Sequence, residues 1–426
     1  MYIHLQQILH KLTSFQFYIS IPFWGAFVLA VLIFRIVGTT TRAARWSVLM
    51  LSALMVMALP RFTYISLISL VLVSCIAFAG GSLLVGRLRE ARRDVRIFCA
   101  TSLVILIIFV LAISKYRFFQ KIVLGKSYLS STDISKTLFI VGISYASFKM
   151  MHFVIECYKK NIEKQDLSSF MNFIFFFPSF ISGPINRFDH FRDQLVGSSK
   201  EGTLIDDAKE GGFRIVNGIL KKVVVATLIE PYIIINVIQT DQLSFQRLLL
   251  GVYAYTIYFY VDFSGYSDMA IGSARIMGIS LPENFNNPFL KKNIQELWAN
   301  WHISLTSWLT DYIYWPLVRR LRKNSTFQNK PILLSNICII VTFLICGMWH
   351  GDTINFLLWG LYHGIGIAVV NTYRSYKRKI KSPILRRYFA SSGSKIVGIV
   401  ATFNFFAIGI VLFALTPETI STIMRR

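Results

Sequence analysis

Long apolar stretches separated by short polar segments run along the whole chain, and this pattern predicts a helical membrane protein. The first apolar run, 17–37, is too long for the hydrophobic part of a signal peptide and is followed by basic residues, so we interpret it as an uncleaved span. A spanning helix needs about 20 apolar residues, and the further apolar stretches lie at 46–60, 63–86, 97–114, 134–157, 170–186, 212–238, 246–280, 297–318, 332–349, 353–371 and 395–415. We predict an all-α polytopic protein with about eleven membrane helices, forming a single domain over residues 1–426.

The apolar stretch 170–186 contains residues that interrupt helices, namely Pro178, Gly183 and Pro184. Proline removes a backbone hydrogen bond from a helix. Irregular backbone at membrane depth is tolerated only where protein or a water-filled cavity surrounds it. We therefore predict a broken or re-entrant segment here, with Arg187 either anchoring the broken helix or pairing with a carboxylate.

The composition excludes a water-soluble globular protein. Hydrophobic residues make up 54% of the chain and charged residues 15%, whereas soluble domains carry about 25% charged residues. The formal net charge of +24 would suggest nucleic acid in a soluble protein. Here the basic residues lie in short clusters between apolar runs, which indicates loops retained in the cytoplasm and no nucleic-acid partner. The strongest basic clusters are 87–96, 115–126, 319–323 and 374–387.

The spacing of the cysteines and histidines does not match the patterns that are typical of metal sites. The five cysteines lie in or beside apolar segments without a CxxC pair, so we predict small buried hydrophobic side chains and not a redox or zinc centre. Histidine pairs at the i,i+4 spacing and the HExxH pattern are both missing from the sequence.

Four patches are more polar than ordinary lipid-facing helix: 173–190, 258–268, 283–316 and 346–364. Ionisable groups at membrane depth are costly, so each patch is a candidate for function. Asp262 and Asp268 could carry protons, but buried carboxylates usually need a partner, and we favour hydrogen bonds that tie neighbouring helices. Four tryptophans recur near a helical period, which predicts one packed helix face: Trp298, Trp301, Trp308 and Trp315.

Two histidines, His302 and His350, each follow a tryptophan in these polar patches. A single histidine at an apolar helix end often has only an interior structural role. Gly347 and Gly351 bracket His350, however, and would allow another backbone or a thin substrate to approach closely. A buried imidazole resists protonation, and a neutral histidine beside a hydroxyl can act as a general base. The residues leave both roles open.

The remaining polar residues offer weaker candidates for catalysis. Ser182 is more consistent with a loop cap than with a nucleophile, so a histidine base would favour direct acyl transfer to a bound hydroxyl without an acyl-enzyme. We expect His363 to have an interior structural role or to make a hydrogen bond between helices, and His152 and His190 to pack between helices or to lie at the membrane interface.

Several sequence blocks, in this order, resemble the membrane-bound O-acyltransferase (MBOAT) family. The blocks are FFPSFISGPINRFDHF, YFYVDFSGYSDMAIGSARIMGI, ENFNNPF, ELWANWHISLTSWLTDYIYWPL and GMWHGDTINFLLWGLYHG, with GISYASFKMMHFVIECYKK upstream and KIVGIVATFNFFAIGIVLFAL downstream. SGPINRF, and FVIE after GISY, are most similar to the bacterial DltB branch; the AlgI-like alginate O-acetylase branch is next nearest. The family commonly has an arginine two residues before the first motif histidine, where this chain has Asn300.

The resemblance implies a ring of helices around a thin core with a central tunnel, and it implies catalytic roles for His350 and His302. We expect the following residues to line the substrate path: Trp349, Trp301, Asn300, Ser304, Asp311, Gly183, Pro184 and Arg187. The DltB branch implies transfer of a D-alanyl group from a phosphopantetheine thioester, on a carrier of the DltC type, toward teichoic acid. It also implies an extracellular or periplasmic partner of the DltD type, a multi-pass location in the bacterial cytoplasmic membrane, and no permanently bound cofactor.

Three alternatives remain open from the sequence. An AlgI-like enzyme would O-acetylate an extracellular polysaccharide on the same scaffold. A polytopic transporter would use Asp262, Asp268 and the histidines as a proton relay, although transporters often contain internal repeats and we find none. A non-catalytic subunit of an envelope-modifying complex would not require the paired Trp-His dipeptides.

Overall fold

The computed structural model describes residues 21–32, 35, 41–57, 59, 63–124, 141–163, 165–197, 203–239, 244–377, 379, 382–384, 389 and 391–424. Within these residues the α-helices are α1 Ile21–Leu32, α2 Arg42–Met57, α3 Tyr64–Val85, α4 Arg93–Lys115, α5 Arg117–Leu124, α6 Ile143–Tyr158, α7 Leu167–Phe175, α8 Phe188–Leu195, α9 Leu204–Ile219, α10 Ala226–Ile229, α11 Ile234–Val237, α12 Phe245–Ile276, α13 Ile294–Trp298, α14 Ile303–Leu309, α15 Trp315–Leu321, α16 Ser325–Gln328, α17 Pro331–His350, α18 Ile354–Lys377, α19 Ser392–Ala414 and α20 Pro417–Met424. Helical turns of 3-10 or π type occupy Phe177–Ser179, Leu220–Val225, Glu230–Tyr232, Pro288–Leu290 and Thr310–Tyr314.

The all-α polytopic prediction is confirmed. In the described part of the chain, β-pairing is confined to one isolated antiparallel bridge between Phe285 and Trp301. Five of the described helices, α3, α4, α17, α18 and α19, are long and apolar enough to cross a membrane. The count of eleven membrane helices stays a prediction. Helix α1 covers the centre of the predicted first span, whose two ends lie outside the described residues, as does the first part of the stretch 134–157.

Backbone contacts divide the chain into two units, with boundaries inside the long helices α9 and α12. The first unit comprises residues 1–216 and 268–282, and the second comprises 217–267 and 283–426. The core of the first unit contains closely packed phenylalanine rings. Phe153 lies 4.5 Å from Phe170 and 5.0 Å from Phe188, measured between ring centroids. Such aromatic pairs stabilise a core beyond the area that they bury.

The predicted break in the stretch 170–186 is confirmed. Helix α7 begins at an Asp166 cap, whose Oδ1 accepts a 2.9 Å hydrogen bond from the Ser169 amide, and it ends at Phe175. The Lys149 ammonium, which is buried, donates to the Phe173 carbonyl at 2.9 Å and to Ser179 Oγ at 3.1 Å. These bonds occupy polar groups that the broken helix exposes within the protein.

Gly183 has a specific steric role in this broken segment. A Cβ atom there would lie 2.4 Å from the Ser179 Cα atom, which leaves room for hydrogen only. Pro184 is buried beside it, and Arg187 precedes α8 with its backbone amide donating to Asn186 Oδ1 at 2.8 Å. Arg187 therefore stands immediately before the helix that follows the break, and its role as an anchor or as a partner of a carboxylate stays a prediction.

In the second unit, α17 and α18 form a hairpin that depends on glycine. A Cβ at Gly347 would lie 2.3 Å from the Phe356 carbonyl oxygen, and one at Gly360 would lie 2.4 Å from the Phe343 carbonyl oxygen. Small residues allow membrane helices to pack at short distance. The sequence-based interpretation of Gly347, that it lets another backbone approach near His350, is confirmed.

The prediction of one tryptophan face is wrong. Residues 299–302 separate α13 from α14, so Trp298 and Trp308 do not share a continuous helix, and Trp315 is 47% exposed. The local reason is the backbone of His302, which adopts the left-handed conformation (φ 43°, ψ 52°) immediately before α14 and so interrupts the helix. The spacing of tryptophans along the sequence does not reveal such a break in the helix.

Both intramembrane aspartates tie helices, as favoured from the sequence. Asp262 accepts a 2.6 Å hydrogen bond from the Lys222 ammonium in the second unit. Asp268 accepts a 3.1 Å hydrogen bond from Arg214 Nε in the first unit. The cysteine prediction holds for Cys157, Cys338 and Cys346, which are buried, whereas Cys75 is exposed and Cys99 is half-buried.

Candidate active site

His302 lies at the point where the chain turns between α13 and α14. Its backbone adopts the left-handed conformation, with φ 43° and ψ 52°, and it precedes the first residue of α14. A non-glycine residue in this conformation is uncommon and is often found at functional sites. The neighbouring backbone holds it from both sides: the Ile303 amide donates to the Asn284 carbonyl at 3.0 Å, and the Asn286 amide donates to the Asn300 carbonyl at 3.1 Å.

The buried side chain of Asn284 organises the surroundings of His302. Its Oδ1 lies 2.6 Å from Ser304 Oγ, 3.4 Å from the Ser304 amide nitrogen and 3.3 Å from His302 Nδ1. Its Nδ2 donates to Ser267 Oγ at 3.2 Å. A backbone amide can only donate, so the Asn284 atom that faces Ser304 is the oxygen.

This contact set assigns the tautomer of His302. Because Asn284 Oδ1 is an acceptor, His302 Nδ1 carries the proton in the 3.3 Å contact. The lone pair of the neutral imidazole is then on Nε2. The ring of Phe263 packs edge-on against the imidazole, with 4.8 Å between centroids, and His302 is buried. The result is a fixed imidazole with a defined acceptor nitrogen.

His350 occupies the last position of α17, where Gly351 continues in extended backbone. Aromatic rings surround it: the centroid separations are 4.7 Å to Trp349, 5.1 Å to Trp359 and 5.0 Å to Phe413. The side chain is half-buried. A Cβ at Gly351 would lie 2.3 Å from the Phe356 ring, so glycine is required beside the histidine.

A run of aromatic rings connects the surroundings of the two histidines within the second unit. Phe413, which packs on His350, lies 5.6 Å from Phe259 between centroids. Phe259 and Phe263 are one helical turn apart on α12, and Phe263 packs on His302. Residues at this spacing project from the same side of a helix. One face of α12 therefore contacts His302 through Phe263 and, through Phe259, contacts the ring of Phe413 that packs on His350.

His363 has the structural role predicted for it. The Trp298 indole nitrogen lies 3.3 Å from His363 Nδ1, and indole N–H can only donate, so Nδ1 is the acceptor. This bond joins α13 to α18. In the first unit, His152 Nε2 accepts a 2.9 Å hydrogen bond from the Phe188 amide, which ties α6 to α8. His190 lies 2.9 Å from Gln194 Nε2 on the same short helix.

The residues expected to line a substrate path fall into three groups. Trp301, Asn300 and Ser304 adjoin His302, and Trp349 adjoins His350. Asp311 is exposed on the π-helical turn that follows α14. The third group belongs to the first unit and not to the unit with the two histidines: Gly183, Pro184 and Arg187.

Asn300, which stands where the family commonly has arginine, acts on the helix end. Its Nδ2 donates to the Glu296 carbonyl at 2.8 Å, and that carbonyl belongs to the last turn of α13. The side chain thereby satisfies an acceptor that the helix end leaves without an intrahelical partner. Trp301 packs in the same region, with its ring 4.8 Å from Phe406.

Sequence reasoning overlooked Asn284 as a site residue. The block ENFNNPF contained it, but asparagines in a turn are common and carried no sign of a tertiary contact. Its importance appears only from the convergence of Ser267, His302 and Ser304 on one amide. Among the described residues, no three potential metal ligands of the His, Cys, Asp or Glu type lie together.

The chain belongs to the membrane-bound O-acyltransferase family, which matches residues 93–414. It is therefore a membrane-embedded acyltransferase. Among its relatives, the teichoic acid D-alanyltransferase of Bacillus subtilis is 34% identical over 279 residues, 65% of this chain and 69% of the relative. The teichoic acid D-alanyltransferase of Streptococcus thermophilus is 31% identical, over 64% of this chain and 68% of the relative.

A second group of relatives is named for the acetylation of a different polymer, alginate. The probable alginate O-acetylase AlgI of Azotobacter vinelandii is 36% identical over 57% of this chain, and the match covers 46% of that relative. These matches confirm the predicted class, acyltransferase, over the transporter and the non-catalytic subunit.

Proposed function

We propose that this acyltransferase takes a D-alanyl group from a carrier-protein thioester and passes it across the membrane to hydroxyls of a cell-envelope polymer such as teichoic acid. Two teichoic acid D-alanyltransferases, at 34% and 31% identity, support the acyl group and the acceptor. The structural observation that supports the chemistry is the placement of His350, which is half-buried among aromatic rings at the end of α17.

In the proposed reaction, His350 acts as general base. The acceptor hydroxyl oxygen attacks the thioester carbonyl carbon while the imidazole of His350 takes the hydroxyl proton. The new C–O ester bond forms, the C–S bond breaks, and the proton is returned to the departing thiolate. A positioned base of this kind accelerates proton transfer by about 10²- to 10⁴-fold. The aromatic walls exclude water, which protects the thioester from hydrolysis.

His302 has an orienting role in this proposal. Its Nδ1 lies 3.3 Å from Asn284 Oδ1, which fixes the direction of the ring. An imidazole held in this way can position the acceptor hydroxyl for attack by contact with the substrate. Orientation of this type is effective only if the ring is held firmly, and the Asn284 and Phe263 contacts provide that restraint.

The similarity to teichoic acid D-alanyltransferases also supports a proposal for the donor, the partner proteins and the location. The donor is a phosphopantetheine thioester on a carrier of the DltC type, no cofactor is permanently bound, and a DltD-type protein receives or directs the acyl group outside. The location is the bacterial cytoplasmic membrane. Arg187, which is half-buried at the start of α8, is proposed to lie on the cytoplasmic approach of the carrier, whereas Gly183 and Pro184 are buried and shape the break before it.

Donor choice in membranes that contain the purified chain tests the proposed substrate. The carrier would be loaded separately with radiolabelled D-alanine and with radiolabelled acetate, and transfer to membrane-bound teichoic acid would be counted. We expect D-alanyl transfer that is lost in His350→Ala. Transfer of acetate alone, at equal protein level, would overturn the D-alanyl assignment and leave the acyltransferase class intact.

O-acetylation of an extracellular polysaccharide is the second candidate. The 36% identity to a probable alginate O-acetylase, over a shorter share of both proteins, favours it. An acetyl donor that supports transfer to alginate, where the D-alanyl carrier does not, would identify this activity.

A further inference from the structure

A groove of about 980 Å³ opens between the spanning helices α18 and α19 in the second unit. Its walls are mainly apolar, and Tyr362 stacks on Phe405 along it with 4.2 Å between ring centroids. Val369 and Val397 are 62% and 64% exposed. Both residues lie on helices that are long and apolar enough to cross a membrane, so we expect these exposed apolar side chains to face lipid. The groove is separate from the residues that carry the proposed acyl transfer.

One end of the groove is strongly basic. Among the described residues that line it, the cations are Lys292, Arg374, Lys377 and Lys395, and the one carboxylate is that of Glu296. Glu296 lies 3.9 Å from the Lys292 ammonium, so it offsets a single positive charge. Arg374 and Lys377 are in the last turn of α18, and Lys395 is in the first turn of α19.

Local contacts hold two of these cations at the groove. The Arg374 guanidinium donates to Gln295 Oε1 at 2.9 Å, a neutral partner that leaves its charge uncompensated. The Lys377 ammonium lies 4.3 Å from the centroid of the Phe389 ring. A neutral amide and an aromatic face position the cations without consuming their charge, so the basic end remains available to an anion.

We propose that this groove binds an anionic phospholipid, with an acyl chain along the apolar walls and the phosphate at the basic end. The polarity is that of an amphiphile: one charged end and a long apolar body. Basic pockets between membrane helices bind anionic lipid head groups. A free phosphate would use the basic end alone, and a zwitterionic lipid would gain less there because its own cation is repelled. Arg374 and Lys377, at the basic end, belong to the segment 374–387, which we predict to be cytoplasmic.

Lipid binding to the full chain, purified in detergent, tests the proposal. Dioleoyl phosphatidylglycerol and dioleoyl phosphatidylcholine would be titrated in turn, and bound lipid counted by native mass spectrometry. The test variant is Arg374→Gln with Lys377→Gln and Lys395→Gln. The control is Arg87→Gln with Arg92→Gln and Arg93→Gln, which removes the same charge from an exposed segment of the first unit.

We expect the test variant to lose roughly a hundredfold in affinity for phosphatidylglycerol, at about a fivefold loss per cation near a membrane surface, with phosphatidylcholine binding unchanged. The control should bind phosphatidylglycerol like the wild type. Equal affinity in the test variant and the wild type would overturn the proposal. If the triple variant does not fold, Lys395→Gln alone, at an exposed position, should still show a severalfold loss.

Two further measurements test the role of the apolar walls independently of the basic end. Ala401→Phe places a ring in the groove and should weaken phosphatidylglycerol binding while the basic end is intact. Soluble glycerol 3-phosphate, added in excess, should fail to displace the lipid. Displacement by glycerol 3-phosphate, together with normal binding in Ala401→Phe, would show a phosphate site and not a lipid site.

Discussion

The Oδ1 atom of Asn284 lies 3.3 Å from Nδ1 of His302, and this acceptor oxygen favours the tautomer that carries its proton on Nδ1. Asn284 also accepts from Ser304 Oγ at 2.6 Å and donates to Ser267 Oγ at 3.2 Å, so its own orientation is defined. The ring of His302 is thereby restrained by a residue 18 positions earlier in the chain.

Asn284→Ala should lower transfer by about tenfold to a hundredfold, because a misplaced orienting group loses much of its effect. We expect the fall in kcat to exceed any rise in KM, and the free energy of unfolding to drop by about 1–3 kcal/mol because buried partners of Asn284 lose a hydrogen bond. Ser267→Ala, which removes only the outer partner of Asn284, is the matched control and should cost less. Wild-type kcat per folded molecule in Asn284→Ala, at a temperature where the variant stays folded, would instead indicate a purely structural role.

His350→Ala should reduce transfer by about 10²- to 10⁴-fold, since a positioned base contributes that much. His302→Ala should reduce it less if its role is orientation. The measurement is transfer of a labelled acyl group from the loaded carrier in purified membranes, at matched protein level. Near-wild-type transfer by His350→Ala would refute the general-base assignment and leave both histidines with structural roles.

Gly183→Ala should destabilise the protein by about 1–3 kcal/mol, a typical cost of overpacking. Its new Cβ would stand 2.4 Å from the Ser179 Cα, and backbone cannot move aside cheaply. Gly212→Ala is the control, because that helical position has no atom within 4 Å of a new Cβ. It should stabilise by about 0.5–1 kcal/mol, since alanine favours helix. Thermal unfolding of both variants in the same detergent gives the comparison.

Lys222 and Asp262 should show coupling of about 0.5–3 kcal/mol in a double-mutant cycle with Lys222→Met and Asp262→Asn. Their charged atoms lie 2.6 Å apart and both side chains are largely buried. Acyl transfer by stable forms of each variant should stay within a fewfold of the wild type. Loss of transfer without loss of stability would revive a proton-carrying role for Asp262.

Topology is testable by thiol labelling of intact cells. A cysteine introduced at the exposed position Arg93, in a variant with Cys75 and Cys99 replaced by serine, should resist an impermeant reagent until the cells are opened. One placed at Arg374 should behave in the same way. Rapid labelling from outside would reverse the predicted orientation. Parts of the segment 374–387 lie outside the described residues.

Patterns within a short stretch of sequence predicted much of this protein. Apolar runs at 63–86, 97–114, 332–349, 353–371 and 395–415 correspond to the five described helices that can span a membrane. Pro178 and Gly183 predicted the break before α8, and the family blocks pointed to His302 and His350. These properties depend on hydrophobicity, on backbone chemistry and on neighbouring residues, all of which a linear pattern contains.

Tertiary packing decided the rest. The tryptophan period suggested one helix through 298–315, but the left-handed backbone of His302 and the π-helical turn Thr310–Tyr314 interrupt it. The partners of Asp262 and Asp268 could not be chosen among 45 basic residues before the helices were packed. The role of Asn284, the hydrogen bond from Trp298 to His363 and the groove between α18 and α19 join residues distant in sequence. Their energies depend on distances of a few ångströms across packed helices, which residue order alone does not specify.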